Sequence, residues 1–320
     1  WDSWFLRKWT NRQNILTEEN IKIREAPQDR RYIWTRPADR NQGVPLWFIK
    51  GKKSGGLQKI MKVFAHHAHV FPKEIREDGT IEALLSLMKE CQMERAVAFA
   101  PFFEYFDREF AVNQWLAEEL EKHSELYGFG VIDFRKENLE EQVEEIAALG
   151  LKGIKIHPAF QKIKIDGEKA FRVYKKAEEY GLVLSFHTGV HWHRIAEYHT
   201  LLFDEVAWHF PKLKFTMEHV GGYSFFKEAV AVLVNNRENV YAGLTSVFDP
   251  VGNKFWYLGE EGVNELLWQI GAKRCVFGLD FPYNQAGEIK SAIDHVKHLN
   301  ASQEEIQGIL GENLERLLGI

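Results

Sequence analysis

From residue 61 onward, short apolar runs that favour β structure alternate with amphipathic runs that favour helices. Eight apolar runs recur about every 30 residues, as expected for parallel strands buried on both faces. They are Lys62–Ala65, Ala96–Phe99, Tyr127–Ile132, Gly153–Ile156, Leu182–Phe186, Leu213–Met217, Val240–Leu244 and Arg274–Gly278. Eight repeats in ~260 residues predict an α/β fold, a single (β/α)8 barrel domain over residues 61–320. A doubly wound open sheet is the alternative, but it does not require eight even repeats.

Local signals mark the ends of several helices between these runs. Thr80 is in position to cap one helix, and Asn138 is in position to cap another that would stop at Gly150. Ser302 and Glu305 have the spacing of a capping box, which predicts the start of the last helix.

The first 60 residues differ in composition from the rest of the chain. They hold 13 Lys and Arg against six Asp and Glu, whereas the remaining residues hold 28 against 40. They also hold five of the ten tryptophans and show no sustained periodicity. The segment is either a basic extension that packs on the barrel, or sequence that is not native to the protein and precedes a true start at Met61. We favour the second interpretation.

Composition excludes several classes of protein. The net charge is −5 at pH 7 and no long basic run occurs, which argues against nucleic-acid binding. No apolar run of membrane-spanning length and no signal peptide are found. The two cysteines, Cys91 and Cys275, suit a reducing compartment rather than a disulfide framework. We therefore expect a cytoplasmic protein that binds neither nucleic acid nor membranes.

Side chains that can bind metals follow the predicted strands at their C-terminal ends, where barrel active sites lie. His67 and His69 follow the first strand, His187 the fifth, His219 the sixth and Asp280 the eighth. Because strand ends converge on one mouth of a barrel, we expect these four imidazoles and one carboxylate to share one space. Neutral imidazole and carboxylate suit zinc, manganese or iron.

Strand alternation sets an expectation for the three histidines of the first strand. Residues i and i+2 of a strand point to the same face, so His67 and His69 are expected to hold one ion together. His66 is expected to point to the opposite face and to bind no ion.

The motifs at these positions resemble the amidohydrolase superfamily, in particular the amidohydrolase-related group that includes aminocarboxymuconate semialdehyde decarboxylase. They read HAH at 67–69, GIKIHPAFQ at 153–161, SFHTG at 185–189, FPKLKFTMEHVGG at 210–222, FGLDFP at 277–282 and GENLERLLG at 311–319. The resemblance spans residues 61–320 and nothing in residues 1–60 belongs to it. One departure is Ala65, where the group usually has an acidic residue two positions before the first histidine.

The resemblance implies a divalent ion, zinc before manganese or iron, held by His67, His69, His187 and Asp280. It implies that His219 is a catalytic acid or base, or a ligand for a second ion. Asp280 or His219 would accept the proton of a water molecule whose pKa the ion lowers.

Six further residues are candidates for bridging a second ion or for binding substrate. Some superfamily members bridge two ions with a carbamylated lysine, for which Lys155 is the candidate, although one ion remains the first expectation. The residues expected to bind substrate, each with a role at the rim or surface as the alternative, are His157, His191, His193, Arg108 and Tyr223.

Two enzymatic functions follow from the resemblance. The first is hydrolysis of an amide, ester or lactone bond in a small, carboxylate-bearing substrate. The alternative is nonoxidative decarboxylation of an aromatic or unsaturated acid with the same ligands. A third hypothesis, a metal-binding barrel without catalysis, is disfavoured by the intact set of candidate ligands. The expected partner is a small-molecule substrate, and assembly of the chain as a homodimer is an open alternative.

Overall fold

The structure is a computed structural model and describes residues 61–320. These residues form a closed barrel of eight parallel strands. The strands are β1 (Phe64–His69), β2 (Arg95–Phe99), β3 (Leu126–Gly130), β4 (Gly153–Ile156), β5 (Val183–His187), β6 (Phe215–Glu218), β7 (Val240–Thr245) and β8 (Cys275–Phe281). Each strand pairs with its neighbours in sequence, and β8 closes the barrel on β1. The predicted (β/α)8 fold is confirmed. The two interpretations of residues 1–60 concern residues outside the described range and stay predictions.

Helices follow the strands around the barrel. They are α1 (Ile81–Glu90), α2 (Val112–Leu120), α3 (Leu139–Ala148), α4 (Pro158–Gln161), α5 (Glu168–Tyr180), α6 (Leu202–His209), α7 (Gly222–Asn235), α8 (Gly259–Ile270), α9 (Ala286–Lys297), α10 (Gln303–Gln307) and α11 (Asn313–Leu318). Among the helices of residues 61–320, none combines the length and the apolar character that crossing a bilayer requires.

The predicted caps are mostly present. Thr80 Oγ1 accepts the Ala83 amide at 3.2 Å and starts α1, and Ser302 and Glu305 form the capping box of α10. Asn138 precedes α3, but its side chain makes no capping bond.

The apolar core fills the N-terminal end of the barrel. Phe64 at the start of β1 and Val276 near the start of β8 pack with Leu314 and Leu317 of α11 in one buried cluster. A larger cluster lies between the strands and the surrounding helices. Because apolar side chains close this end, the polar side chains of the strands collect at the opposite, C-terminal end.

β1 and β8 extend further than the sequence predicts. Ala68 pairs with Ala98 of β2 and with Phe281 of β8, so β1 continues to His69 and β8 continues past Asp280. These expected metal-binding residues therefore lie within the sheet rather than beyond it. Backbone pairing holds them more rigidly than a loop would.

Candidate metal centre

Four of the predicted residues meet at the C-terminal mouth of the barrel. Donor atoms of His67, His219 and Asp280 all lie within 4.8 Å of one another. His67 Nε2 is also 3.1 Å from His69 Nε2 and 3.4 Å from Asp280 Oδ1. We call His67, His69, His219 and Asp280 the central cluster. His187, the fifth predicted residue, lies beside it, with its ring centroid 4.7 Å from that of His219.

The backbone at the central cluster adopts conformations that side chains with a Cβ rarely take. His67 and His219 have φ of 64°, and Asp280 has φ of 56°. Ser246, whose hydroxyl donates to Asp280 Oδ2 at 3.0 Å, has φ of 58°. A non-glycine residue in such a conformation costs about 1–3 kcal/mol, and such residues collect at functional sites because the surrounding fold compensates the cost.

A bulge in β1 changes the orientation expected for His66. The pairing of β1 with β2 and β8 shifts register just before Ala68, where His67 takes its positive φ. His66 Nδ1 lies 3.0 Å from Glu218 Oε1, and His67 Nδ1 lies 2.9 Å from Oε2 of the same carboxylate. The expectation that His66 points to the opposite face is wrong, because an extra residue in a bulge interrupts alternation.

Glu218 is a buried carboxylate with several hydrogen-bond partners, and it was not among the site residues predicted from the sequence. Besides the two histidines, its carboxylate accepts hydrogen bonds from hydroxyl groups of three neighbouring strands, those of Ser185, Thr216 and Thr245. Burial disfavours the charged form, but the hydrogen bonds with His66 and His67 favour it, and the pKa of Glu218 lies well below its usual range. A glutamate inside the apolar run of β6 was the available signal, since a buried carboxylate needs partners.

Glu218 supplies a carboxylate to the first strand, in which Ala65 departs from the pattern of the resembled group. A carboxylate is still delivered to the first strand, but from β6 instead of β1. Gly243 on β7 makes room for it, because a Cβ at that position would overlap the Glu218 carboxylate.

Hydrogen bonds fix which nitrogen of each imidazole carries the proton. Assigned from these bonds, His67 donates from Nδ1 to Glu218 and His219 donates from Nδ1 to the Thr245 carbonyl at 2.8 Å. His187 donates from Nε2 to the Gly189 carbonyl at 2.7 Å. Each neutral ring then keeps a lone pair on its other nitrogen, which is how proteins orient histidines that bind metals. The donor set therefore fits a divalent ion.

The electrostatics favour the neutral, ligating form of the two imidazoles, but burial acts against the ligating form of Asp280. Burial, reinforced by the charge of Lys155, lowers the pKa of His67 and brings that of His219 to about 3, so both rings are neutral at physiological pH. Burial raises the pKa of Asp280 to about 6, against the opposing hydrogen bond from Ser246.

A model of the amidohydrolase family matches residues 63–320. The chain belongs to the amidohydrolase family. The resemblance seen in its motifs is thereby confirmed. No curated protein sequence matches it significantly.

Solved structures share the fold of this amidohydrolase at low sequence identity. The 5-carboxyvanillate decarboxylase of Sphingomonas paucimobilis is 15% identical with a TM-score of 0.63, over 81% of this chain and 99% of that one. A protein of Pseudomonas putida assigned as a 2-pyrone-4,6-dicarboxylic acid hydrolase is 18% identical with a TM-score of 0.61, over 81% and 98%. A dihydroxybenzoic acid decarboxylase of Polaromonas sp. with bound manganese is 15% identical with a TM-score of 0.60, over 81% and 97%. At these identities the likeness shows the fold alone.

Lys155 of the amidohydrolase is fully buried beside the central cluster. Its Nζ lies 3.3 Å from His67 Nε2. Burial lowers its pKa to about 8, opposed by the charges of Glu218 and Asp280. The position is compatible with the predicted bridging role, which stays a prediction. One buried ammonium group and the two carboxylates of Glu218 and Asp280 give the site a net negative charge, which favours the binding of a metal cation.

Three more of the predicted residues form a second group, which we call the lateral histidines: His157, His191 and His193. One ring nitrogen of each lies within 4.8 Å of those of the other two. His157 follows β4 and is buried, whereas His191 and His193 lie half-buried in the loop after β5. His157 stacks face to face on His187, with 3.9 Å between ring centroids and 8° between ring planes. The two groups of histidines are therefore adjacent.

The other two residues expected to bind substrate lie at the surface. Arg108 is exposed, and Tyr223 has 75% of its surface accessible to solvent. The structure does not bury either of them with the two groups of histidines, and their role in binding stays a prediction.

Trp256 connects the two groups, and no sequence motif indicated it. Its ring stacks on His219 at 4.3 Å, and its Nε1 donates to the Val190 carbonyl at 2.9 Å. Gly189 makes this packing possible, because a Cβ there would overlap the indole. Trp256 thus fixes the start of the loop that carries His191 and His193.

Proposed function

We propose that this amidohydrolase is a metal-dependent hydrolase that cleaves an amide, ester or lactone bond in a small, carboxylate-bearing molecule. The observation that carries the proposal is the central cluster. Donor atoms of three of its residues, His67, His219 and Asp280, lie within 4.8 Å of one another, and these three have costly backbone conformations at the mouth where barrel enzymes act.

His67, His69, His187 and Asp280 would hold the ion, with zinc as the first choice and manganese or iron as alternatives. A bound divalent ion would supply an activated water molecule and would polarise a substrate carbonyl. The manganese-bound decarboxylase of similar fold supports the choice of a divalent ion.

The remaining tasks belong to side chains of the protein. Glu218 orients His67 through Nδ1, and Ser246 holds Asp280 Oδ2 so that Oδ1 faces the histidines. Asn284 in turn donates to the Ser246 hydroxyl at 2.9 Å. His219 keeps an unprotonated Nε2 in the cluster, and it or Asp280 is the proposed proton acceptor for the attacking water.

Decarboxylation is the second candidate function. Two of the similar solved structures are decarboxylases, and the same residues would serve that reaction. In that case a proton would be delivered to the carbon that loses its carboxylate, and no water would be added.

Isotopes separate the two reactions. Protein loaded with zinc, and separately with manganese, is offered lactones, esters, amides and aromatic acids. Hydrolysis in ¹⁸O-labelled water places one ¹⁸O in the product acid and releases no CO2. Decarboxylation releases CO2, and in D2O it places deuterium on the product carbon. CO2 release without ¹⁸O incorporation would overturn the hydrolase, and unchanged turnover in Asp280→Asn would overturn the site.

A further inference from the structure

His157 differs from the histidines of the central cluster in how its ring is bonded. Its Nδ1 accepts the Phe160 amide at 3.3 Å and so caps the short helix α4. A ring nitrogen that accepts a hydrogen bond carries no proton, so the proton of the neutral ring is on Nε2. His157 therefore presents an N–H group, whereas His67 and His219 present lone pairs.

That N–H group has no acceptor among residues 61–320. His157 is only 7% exposed, and its Nε2 is fully buried without a hydrogen-bond partner. A buried donor left unpaired is destabilising, so a ligand that supplies an acceptor at this point is stabilised by the hydrogen bond it gains.

The neighbours of His157 suit an anionic acceptor. The rings of His191 and His193 lie 5.7 and 5.4 Å from its centroid and bring two further sets of ring nitrogens. Nitrogens no more than 4.8 Å apart can each reach one oxygen atom at ~2.8 Å.

The local charge at His157 points the same way. Burial lowers the pKa of His157, and the nearby positive charge of Lys155 lowers it further. Burial also lowers the pKa of His193, where Lys162 acts in the same direction and Glu197 opposes it. The positive charge of Lys155 therefore favours an anion at His157, whereas at His193 the charge of Glu197 outweighs that of Lys162.

An aromatic wall joins this place to the central cluster. Phe102 lies 6.3 Å from His69 and 5.2 Å from Phe160, and Phe160 lies 6.1 Å from His193, all between ring centroids. Tyr105 packs against Phe160 at 5.5 Å. A flat or apolar substrate body could contact this wall while its two ends reach the two groups of histidines.

We propose that the lateral histidines form a subsite for a carboxylate group of the substrate, with His157 Nε2–H as its buried donor. The inference rests on the proposed function for its substrate, and it assigns the carboxylate-bearing end to His157, His191 and His193. The alternative occupant, a second metal ion, would need the Nε2 lone pair that the His157 tautomer lacks.

The test measures binding rather than turnover. Calorimetry on the full chain loaded with zinc compares benzoate with phthalate, isophthalate and terephthalate, whose second carboxylate lies at three different spacings. We expect one dicarboxylate to bind about 10- to 100-fold more tightly than benzoate, as a hydrogen bond to a charged group allows.

Two variants then locate the second carboxylate. His157→Asn keeps a good capping residue for α4 but is too short to present the donor, and His193→Asn alters the half-buried loop. Both are expected to bring the affinity ratio close to one and to keep the zinc content. His298→Asn, the same change at an exposed residue after α9, is the matched control and should keep the ratio.

Three results would overturn the subsite. In the first, the wild-type protein binds none of the dicarboxylates more tightly than benzoate. In the second, the variants keep the wild-type preference. In the third, the wild-type protein binds two zinc ions, and His157→Asn and His193→Asn each bind only one. Failure of the proposed function appears elsewhere, as a wild-type protein that binds no zinc or performs neither reaction.

Discussion

The two groups of histidines use the same side chain in opposite ways. In the central cluster, His67 and His219 donate outward from Nδ1 to a protein acceptor and keep a lone pair on Nε2. Among the lateral histidines, His157 accepts outward at Nδ1 and presents N–H on Nε2. The difference comes from the partner of Nδ1, which is a carboxylate or carbonyl in one group and a helix amide in the other. Neighbouring imidazoles can therefore be a metal ligand and an anion donor.

The largest effect is expected from Asp280→Ala. Removing the carboxylate from the central cluster should lose metal and activity together, and His187→Ala should do the same, because both are proposed ligands. Elemental analysis and turnover measure the two losses. His157→Asn, from the lateral group, should keep its metal. Full metal content in Asp280→Ala would contradict the proposal that the central cluster, rather than the lateral histidines, binds the metal.

His219→Ala separates catalysis from ligation within the central cluster. If His219 is the proton acceptor of a site with one ion, turnover should fall by ~10²–10⁴-fold while metal content stays near wild type. Loss of one of two bound ions would contradict the assignment to a single ion. Lys155 would then become the candidate bridge between them.

Glu218→Gln tests what orients the ligands. The change keeps the shape of the side chain but removes the charge that accepts from His67 Nδ1. We expect metal affinity to fall ~10–100-fold, the usual effect of changing a residue that supports a ligand. Competition with a chelator of known affinity measures it. Wild-type affinity would mean that the imidazole tautomer does not depend on Glu218.

Trp256→Phe tests the link between the two groups. The ring that stacks on His219 is kept, but the bond from Nε1 to the Val190 carbonyl is lost, which costs about 1 kcal/mol. We expect KM to rise by about fivefold with kcat nearly unchanged. Trp268→Phe, at a residue 78% exposed, is the control. A fall in kcat alone would place the effect at His219.

The smallest effect is expected from removing residues 1–60. A chain that begins at Met61 should fold, keep its metal and lose no more than a few degrees of melting temperature, since the family match begins at residue 63. Thermal unfolding and metal analysis provide the measurement. Loss of soluble protein would show that the basic segment packs on the barrel.

Much of the fold could be predicted from the sequence, because hydrophobic periodicity is a local property. The eight apolar runs correspond to β1–β8, and the caps at Thr80 and Ser302 are present. The ends of β1 and β8 were predicted too early. Pairing with strands distant in sequence extends them, and no local pattern encodes that pairing.

The sequence by itself determined which residue types stand at the strand ends, so His67, His69, His187, His219 and Asp280 could be named before any coordinates. Only the tertiary structure decided how those rings are oriented. The bulge lies where the pairing of β1 with β2 and β8 shifts register, and His66 and His67 reach Glu218 on β6 across the barrel. His157 Nδ1 likewise accepts its hydrogen bond from the Phe160 amide only once α4 forms. The role of each imidazole depends on the hydrogen-bond partner of the ring nitrogen that faces away from the site, and the tertiary fold determines that partner.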